Sequence, residues 1–139
     1  MERLLLAFGI VVVVAIVAFV MRRRRDDAPT QVQYSAPQQL DRADFVGDTD
    51  WVLVAFSSAT CHTCADMVSK AMVMASPSLS VQEVEFGANR ALHRRYAIDA
   101  VPTLVLADRQ GVVHRSFIGR VTATDLWAAV AEARDAAEA

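Results

Sequence analysis

At Ser57 the hydrophobic period of the chain changes, and few sequence features constrain a fold more. Trp51 to Phe56 (WVLVAF) is an unbroken run of apolar, β-branched and aromatic residues, the pattern of a strand buried on both faces. Beyond Ser57-Ser58-Ala59-Thr60, Cys64, Val68, Ala71 or Met72, and Ala75 recur at i, i+4, i+7 or i+8, and i+11, so they share one helix face. Both cysteines of the chain, in Cys61-His62-Thr63-Cys64, sit where strand gives way to helix.

The flanking segments extend this into an α/β order. Leu40 to Val46 suits a short helix, with Leu40, Ala43 and Phe45 or Val46 turned toward the domain. Ser76-Pro77-Ser78 ends the helix that follows the cysteines. Val81 to Phe86 alternates as a strand does, and Ala88 to Tyr96 has helical composition, with Leu92 and Tyr96 four apart. Thr103 to Ala107 and Val112 to Ile118 are short apolar runs joined by Asp108-Arg109-Gln110-Gly111, a hairpin signal. Gly119 closes the second run, and Thr122-Ala123-Thr124-Asp125 fits a capping box ahead of Leu126, Trp127, Ala129, Val130 and Ala133. The predicted order is β-α-β-α-β-β-α, without an internal repeat.

This domain needs only residues 40–139, enough for one core and too few for two. The hydrophobic share of the whole chain, 54%, exceeds that need. Leu4 to Met21 accounts for the excess, with 18 residues free of charge and proline. As a helix they would span roughly 27 Å, close to the apolar thickness of a bilayer. No small-residue cleavage site follows, and Arg22 to Arg25 end the run, so an uncleaved anchor over 1–21 is predicted rather than an export signal. Arg3 alone precedes the span. The positive-inside rule therefore predicts a cytoplasmic domain, with the arginines near anionic headgroups and residues 4–25 as the lipid contact. Residues 22–39, polar and broken by Pro29 and Pro37, read as a basic stop followed by a flexible linker.

Charge narrows the function. Residues 1–39 carry net +2 and residues 40–139 net −4, and an acidic domain without a basic stripe is not a nucleic-acid binder. Lys70 is the chain's one lysine among 14 basic residues, and alanine is abundant, a weak pointer to a GC-rich bacterial genome.

The C-x-x-C pair carries the chemistry. Spacing of three at a helix start places two sulfurs within bridging reach, and free N–H groups there stabilise a thiolate. Thiol–disulfide exchange is the function this motif signals after a strand in a βαβ pattern. Zinc needs further ligands, and His93 and His114 stand apart from each other; two merely structural cysteines are the blander alternative. His62, beside the attacking sulfur, either lowers the Cys61 pKa as imidazolium or is an exposed polar residue of minor effect. His93-Arg94-Arg95 and Asp99 read as a solvated helix face. Met67, Met72 and Met74 read as packing residues.

With those residues in place the chain resembles the thioredoxin family from about Leu40 onward. Cys61-His62-Thr63-Cys64 after WVLVAF, and Val101-Pro102-Thr103 about forty residues later, carry the resemblance. It implies a thioredoxin-like fold, a central mixed sheet flanked by helices behind one N-terminal transmembrane helix. It also implies Cys61 and Cys64 as catalytic residues, Thr60, His62 and Thr63 as modulating neighbours, and Val101, a cis-Pro102 and Thr103 in the substrate groove. No cofactor beyond the cysteine pair is implied. The partners would be protein disulfides or dithiols and an upstream reductant or oxidant. The chain departs from the family in three places. Thr60 replaces the usual Trp, His62-Thr63 replaces Gly-Pro, and the buried Asp six residues before the first cysteine falls on Ala55. Glu83 on the neighbouring predicted strand either substitutes for that Asp or is a solvated strand residue. Anchored members of the family often work outside the membrane, which leaves an extracytoplasmic domain open. The alternative to exchange is a non-catalytic docking or redox-sensing module with the same fold.

Overall fold

Apolar runs long enough to be covered on two sides dictate a three-layer molecule, and the computed structural model has one. It describes residues 13–17 and 35–138, which belong to two separate units, Met1–Gln33 and Tyr34–Ala139. In the first unit, residues 13–17 are helical and exposed. The rest of the expected span Leu4 to Met21, Arg22 to Arg25, and the linker up to residue 34 lie outside the described residues. Among the described residues no helix is long and apolar enough to cross a membrane.

The second unit is built on four strands: β1 (Trp51–Ser57), β2 (Leu79–Glu85), β3 (Thr103–Asp108) and β4 (Val113–Ile118), ordered β2-β1-β3-β4. β1 runs parallel to β2 and antiparallel to β3, and β3 runs antiparallel to β4, so the sheet is mixed. Three helices flank it: α1 (Cys64–Met72), α2 (Arg90–Arg95) and α3 (Ala123–Glu138). All seven residues of β1 are buried, as expected of a central strand covered on both faces. Trp51, Leu53 and Ala55 pack under α1 and α3 with Met67, Ala71, Leu126 and Val130. Val52, Val54 and Phe56 pack on the opposite face with Leu40, Phe45, Val84 and Tyr96. β4 lies at the sheet edge, and its outward residues Arg115 and Ser116 are exposed, which discourages edge pairing.

The expected element order holds, and several boundaries and faces differ from expectation. Leu40 to Val46 contains only a 3-10 turn, Arg42–Asp44, capped by the Asp41 carboxylate; Leu40 and Phe45 turn inward, whereas Ala43 and Val46 are exposed. α1 ends at Met72, ahead of Ser76-Pro77-Ser78, because Met72 and Val73 face solvent and offer it no packing to continue. Met72 is therefore not a packing residue, while Met67 and Met74 are buried. The capping residue of α3 behaves as expected, since the Thr122 hydroxyl accepts the Asp125 N–H at 3.1 Å. Trp127 on that helix is half exposed rather than core.

Backbone bonds attach the start of the domain to the β3–β4 loop. Leu40 N–H donates to Gly111 O at 2.8 Å and Val113 N–H to Gln38 O at 3.0 Å. Gly111 has φ +80°, and a Cβ there would sit 2.0 Å from Leu40 O, so only glycine permits this approach.

Candidate active site

The parallel pairing of β1 with β2 and the antiparallel pairing with β3 bring three chain segments to one end of the sheet: the residues after Ser57, those after Glu85, and those before Thr103. β1 stops because Ser57, Ser58, Ala59 and Thr60 turn. Cys61 N–H donates to Ser58 O at 3.0 Å, and Cys64 N–H donates to Cys61 O at 3.3 Å, which winds His62 and Thr63 into the turn that opens α1. The two cysteines form a disulfide, with Cα atoms 5.4 Å apart and sulfurs 2.18 Å apart. Cys64, the first residue of α1, is 2% exposed, whereas Cys61 is half-buried. The Thr63 hydroxyl lies 3.6 Å from Cys61 Sγ. His62 and Thr60 are exposed, and Thr60 N–H reaches the Ser58 hydroxyl at 3.4 Å.

Opposite this turn, the Val101–Pro102 peptide bond is cis, as the resemblance implied. Pro102 is buried and Val101 half-buried. The Thr103 hydroxyl donates to Ala100 O at 2.8 Å, and Gly119 N–H donates to Pro102 O at 2.8 Å. Thr103 pairs with Phe56, so the Val101-Pro102 step stands just beyond the end of β1, on the side where the cysteine turn begins.

The departure at Ala55 has a structural counterpart. Ala55 is 2% exposed and packs among the apolar residues under α1. Glu83 stands directly across from it on β2, exposed, and accepts the hydroxyl of buried Ser57 at 2.5 Å. His93 is not part of a solvated face: it is 2% exposed, lies edge-on to Phe56 and Phe86, and its Nε2 donates to Val84 O at 2.9 Å. Arg94, Arg95 and Asp99 are exposed as expected. The sequence reading missed Glu85, whose Oε1 accepts Ala59 N–H at 3.1 Å and whose Oε2 accepts Ala88 N–H at 2.9 Å. Backbone N–H groups of Gly87, Ala88 and Ala59 hold this carboxyl below its ordinary pKa. A lone Glu at a strand end carries no sequence signal for such a role.

A disulfide at the head of a helix that leaves a central mixed sheet, with a cis-proline opening the neighbouring strand, defines a domain of the thiol–disulfide oxidoreductase type. The thioredoxin family model matches residues 36–132, and the chain belongs to the thioredoxin family. Solved structures agree in fold. A point-mutant thioredoxin from Halobacterium salinarum NRC-1 is 25% identical with a TM-score of 0.51, covering 66% of this chain and 88% of its own. The oxidized form of mitochondrial thioredoxin 3 from Saccharomyces cerevisiae is 20% identical with a TM-score of 0.51, covering 60% and 79%. A malarial protein is 16% identical with a TM-score of 0.55, covering 60% and 97%. Among proteins of curated function none matches the sequence.

Proposed function

We propose that the chain is a membrane-anchored thiol–disulfide oxidoreductase that exchanges disulfides with protein substrates through Cys61 and Cys64. The observation that carries this reading is the disulfide at the β1–α1 junction, one sulfur within reach of solvent and the other buried. In the reducing direction the Cys61 thiolate attacks a substrate disulfide, forms a mixed disulfide and releases one substrate thiolate, which takes up a proton. Cys64, as thiolate, then attacks Cys61 Sγ, closes the Cys61–Cys64 bond and releases the second substrate thiol. Two electrons and two protons have passed to the substrate; an upstream dithiol of the same class restores the pair, and the reverse sequence oxidises. Thr63 and His62 border the attacking sulfur, and Val101, Pro102 and Thr103 form the wall on which an extended substrate segment lies.

The charge-free run Leu4 to Met21 supports anchoring, with residues 1–21 as anchor, 22–39 as linker and 40–139 as the catalytic domain. Arg22 to Arg25 against Arg3 support a cytoplasmic domain, where a reducing environment would keep the pair mostly as dithiol. A Cys64→Ser variant leaves the mixed disulfide unresolved. It should accumulate disulfide-linked adducts of cellular proteins that vanish in the Cys61→Ser, Cys64→Ser double variant. A single variant that captures nothing would leave a docking or sensing module as the function. Sidedness is read separately, by fusing a reporter active only outside the membrane after Ala139. Silence in intact cells is the expected result.

A further inference from the structure

Glu85 does something in this molecule that neither its position nor its residue type announces. It is the last residue of β2, and its carboxylate spans two loops: Oε1 accepts Ala59 N–H at 3.1 Å and Oε2 accepts Ala88 N–H at 2.9 Å. Gly87 makes room for it, since a Cβ there would lie 3.0 Å from Oε2 and 3.3 Å from Oε1. The main chain adds a second tie beside the first, with Phe86 N–H donating to Ser57 O at 2.9 Å. Ala59 stands two residues before Cys61, inside the turn whose Ser58 carbonyl accepts the Cys61 N–H at 3.0 Å. The approach to the attacking cysteine is thus clamped from the neighbouring strand by one ionised side chain. Among the described residues the Ala59 N–H has this carboxylate as its partner.

We propose that Glu85 is a positioning residue for thiol–disulfide exchange, fixing the Ser58–Thr60 turn so that Cys61 is held ready to bond Cys64. The inference rests on the exchange reading above and adds to it the group that presets the geometry. Clamping the turn removes freedom that the dithiol would otherwise lose when the ring closes, which raises the effective concentration of one sulfur at the other. Release of the clamp costs the disulfide that advantage and favours the dithiol. Loss of the negative charge near the Cys61 thiolate also favours the dithiol, so two variants are needed to separate clamp from charge.

The experiment equilibrates the full chain, Glu85→Gln and Glu85→Ala in glutathione redox buffers and measures the dithiol–disulfide equilibrium of each, together with urea unfolding of both redox forms. Glu85→Ala should shift the equilibrium about tenfold toward the dithiol, equivalent to roughly 30 mV for a two-electron couple. Glu85→Gln, neutral but still offering an oxygen to Ala59 N–H, should shift it less than half as far on a logarithmic scale. Equal shifts in the two variants would mean that charge alone acts, and would overturn positioning. So would an unshifted equilibrium with equal loss of stability in both redox forms, the mark of a merely structural tie. If Glu85→Ala does not fold, Glu85→Asp, which keeps the charge but whose shorter side chain cannot span both donors, takes its place: it should shift the equilibrium toward the dithiol further than Glu85→Gln, and an unshifted Glu85→Asp beside a shifted Glu85→Gln would overturn positioning. A wild-type chain that shows no dithiol–disulfide equilibrium at all would sink the exchange reading itself, an outcome distinct from the other two.

Discussion

Cys61 and Cys64 are the same residue type three positions apart, and their surroundings divide the labour between them. Cys61 lies in the turn before α1, half-buried, while Cys64 begins the helix at 2% exposure. A thiol at a helix N-terminus is favoured as thiolate, and one that solvent reaches is the one a reagent finds. Iodoacetamide added to the reduced protein near neutral pH should therefore modify Cys61 at least tenfold faster than Cys64, as read by peptide mass analysis. Faster labelling of Cys64 would reverse the roles. The cysteine pair was legible in the sequence from its spacing at a strand-to-helix junction, and the cis-proline from the family resemblance that the pair and Val101-Pro102-Thr103 carry. His93 was not. Flanked by Arg94 and Arg95, it reads as surface, and only the approach of Phe56 from β1 and Val84 from β2 shows it to be core. Glu85 was hidden for the same reason, because Ala59 becomes its neighbour only after β1 and β2 have paired.

At the scale of elements, the β3–β4 hairpin depends on one carboxylate. Asp108 Oδ1 accepts the N–H groups of Gln110 and Val112, both at 2.9 Å, and Oδ2 pairs with His114 Nε2 at 2.7 Å, while the His114 ring stands edge-on to Trp51. Burial by itself would raise the Asp108 pKa, but the imidazole of His114 and the N–H groups of Val112 and Gln110 outweigh it, and the net shift is downward. A carboxyl with a depressed folded pKa contributes its full stabilisation above the unfolded value, about 4, and loses it as pH falls through the lower folded value. Asp108→Ala should accordingly lower the urea-unfolding free energy by about 2 kcal/mol at pH 7. The gap between variant and wild type should narrow below about pH 4. A gap of constant size from pH 7 to pH 3 would assign the effect to packing. The turn itself was readable from Asp108-Arg109-Gln110-Gly111; the clasp to His114 across the two strands was not, since strand register decides which side chains meet.

At the scale of the whole molecule, the second unit, Tyr34–Ala139, carries its own two-sided core, and its first structural ties are Gln38 and Leu40 on the β3–β4 loop. A chain shortened to begin at residue 35 should fold and retain the Cys61–Cys64 equilibrium of the full chain. Removal of residues through 43 takes away the bonds to Gly111 and Val113 along with Leu40, which is 1% exposed. That loss should cost at least 2 kcal/mol in urea unfolding, by the scale of a buried Leu truncation. Equal stability of the two shortened forms would place the boundary later than the backbone bonds do.

The contact that only Gly111 permits also sets a direction. Residues 38–40 join the sheet at the pole where β1 begins, and the reactive sulfurs stand at the pole where β1 ends, about 20 Å away along seven strand residues. Whatever enters the space beside Cys61 therefore meets a part of the surface that residues 38–40 do not line.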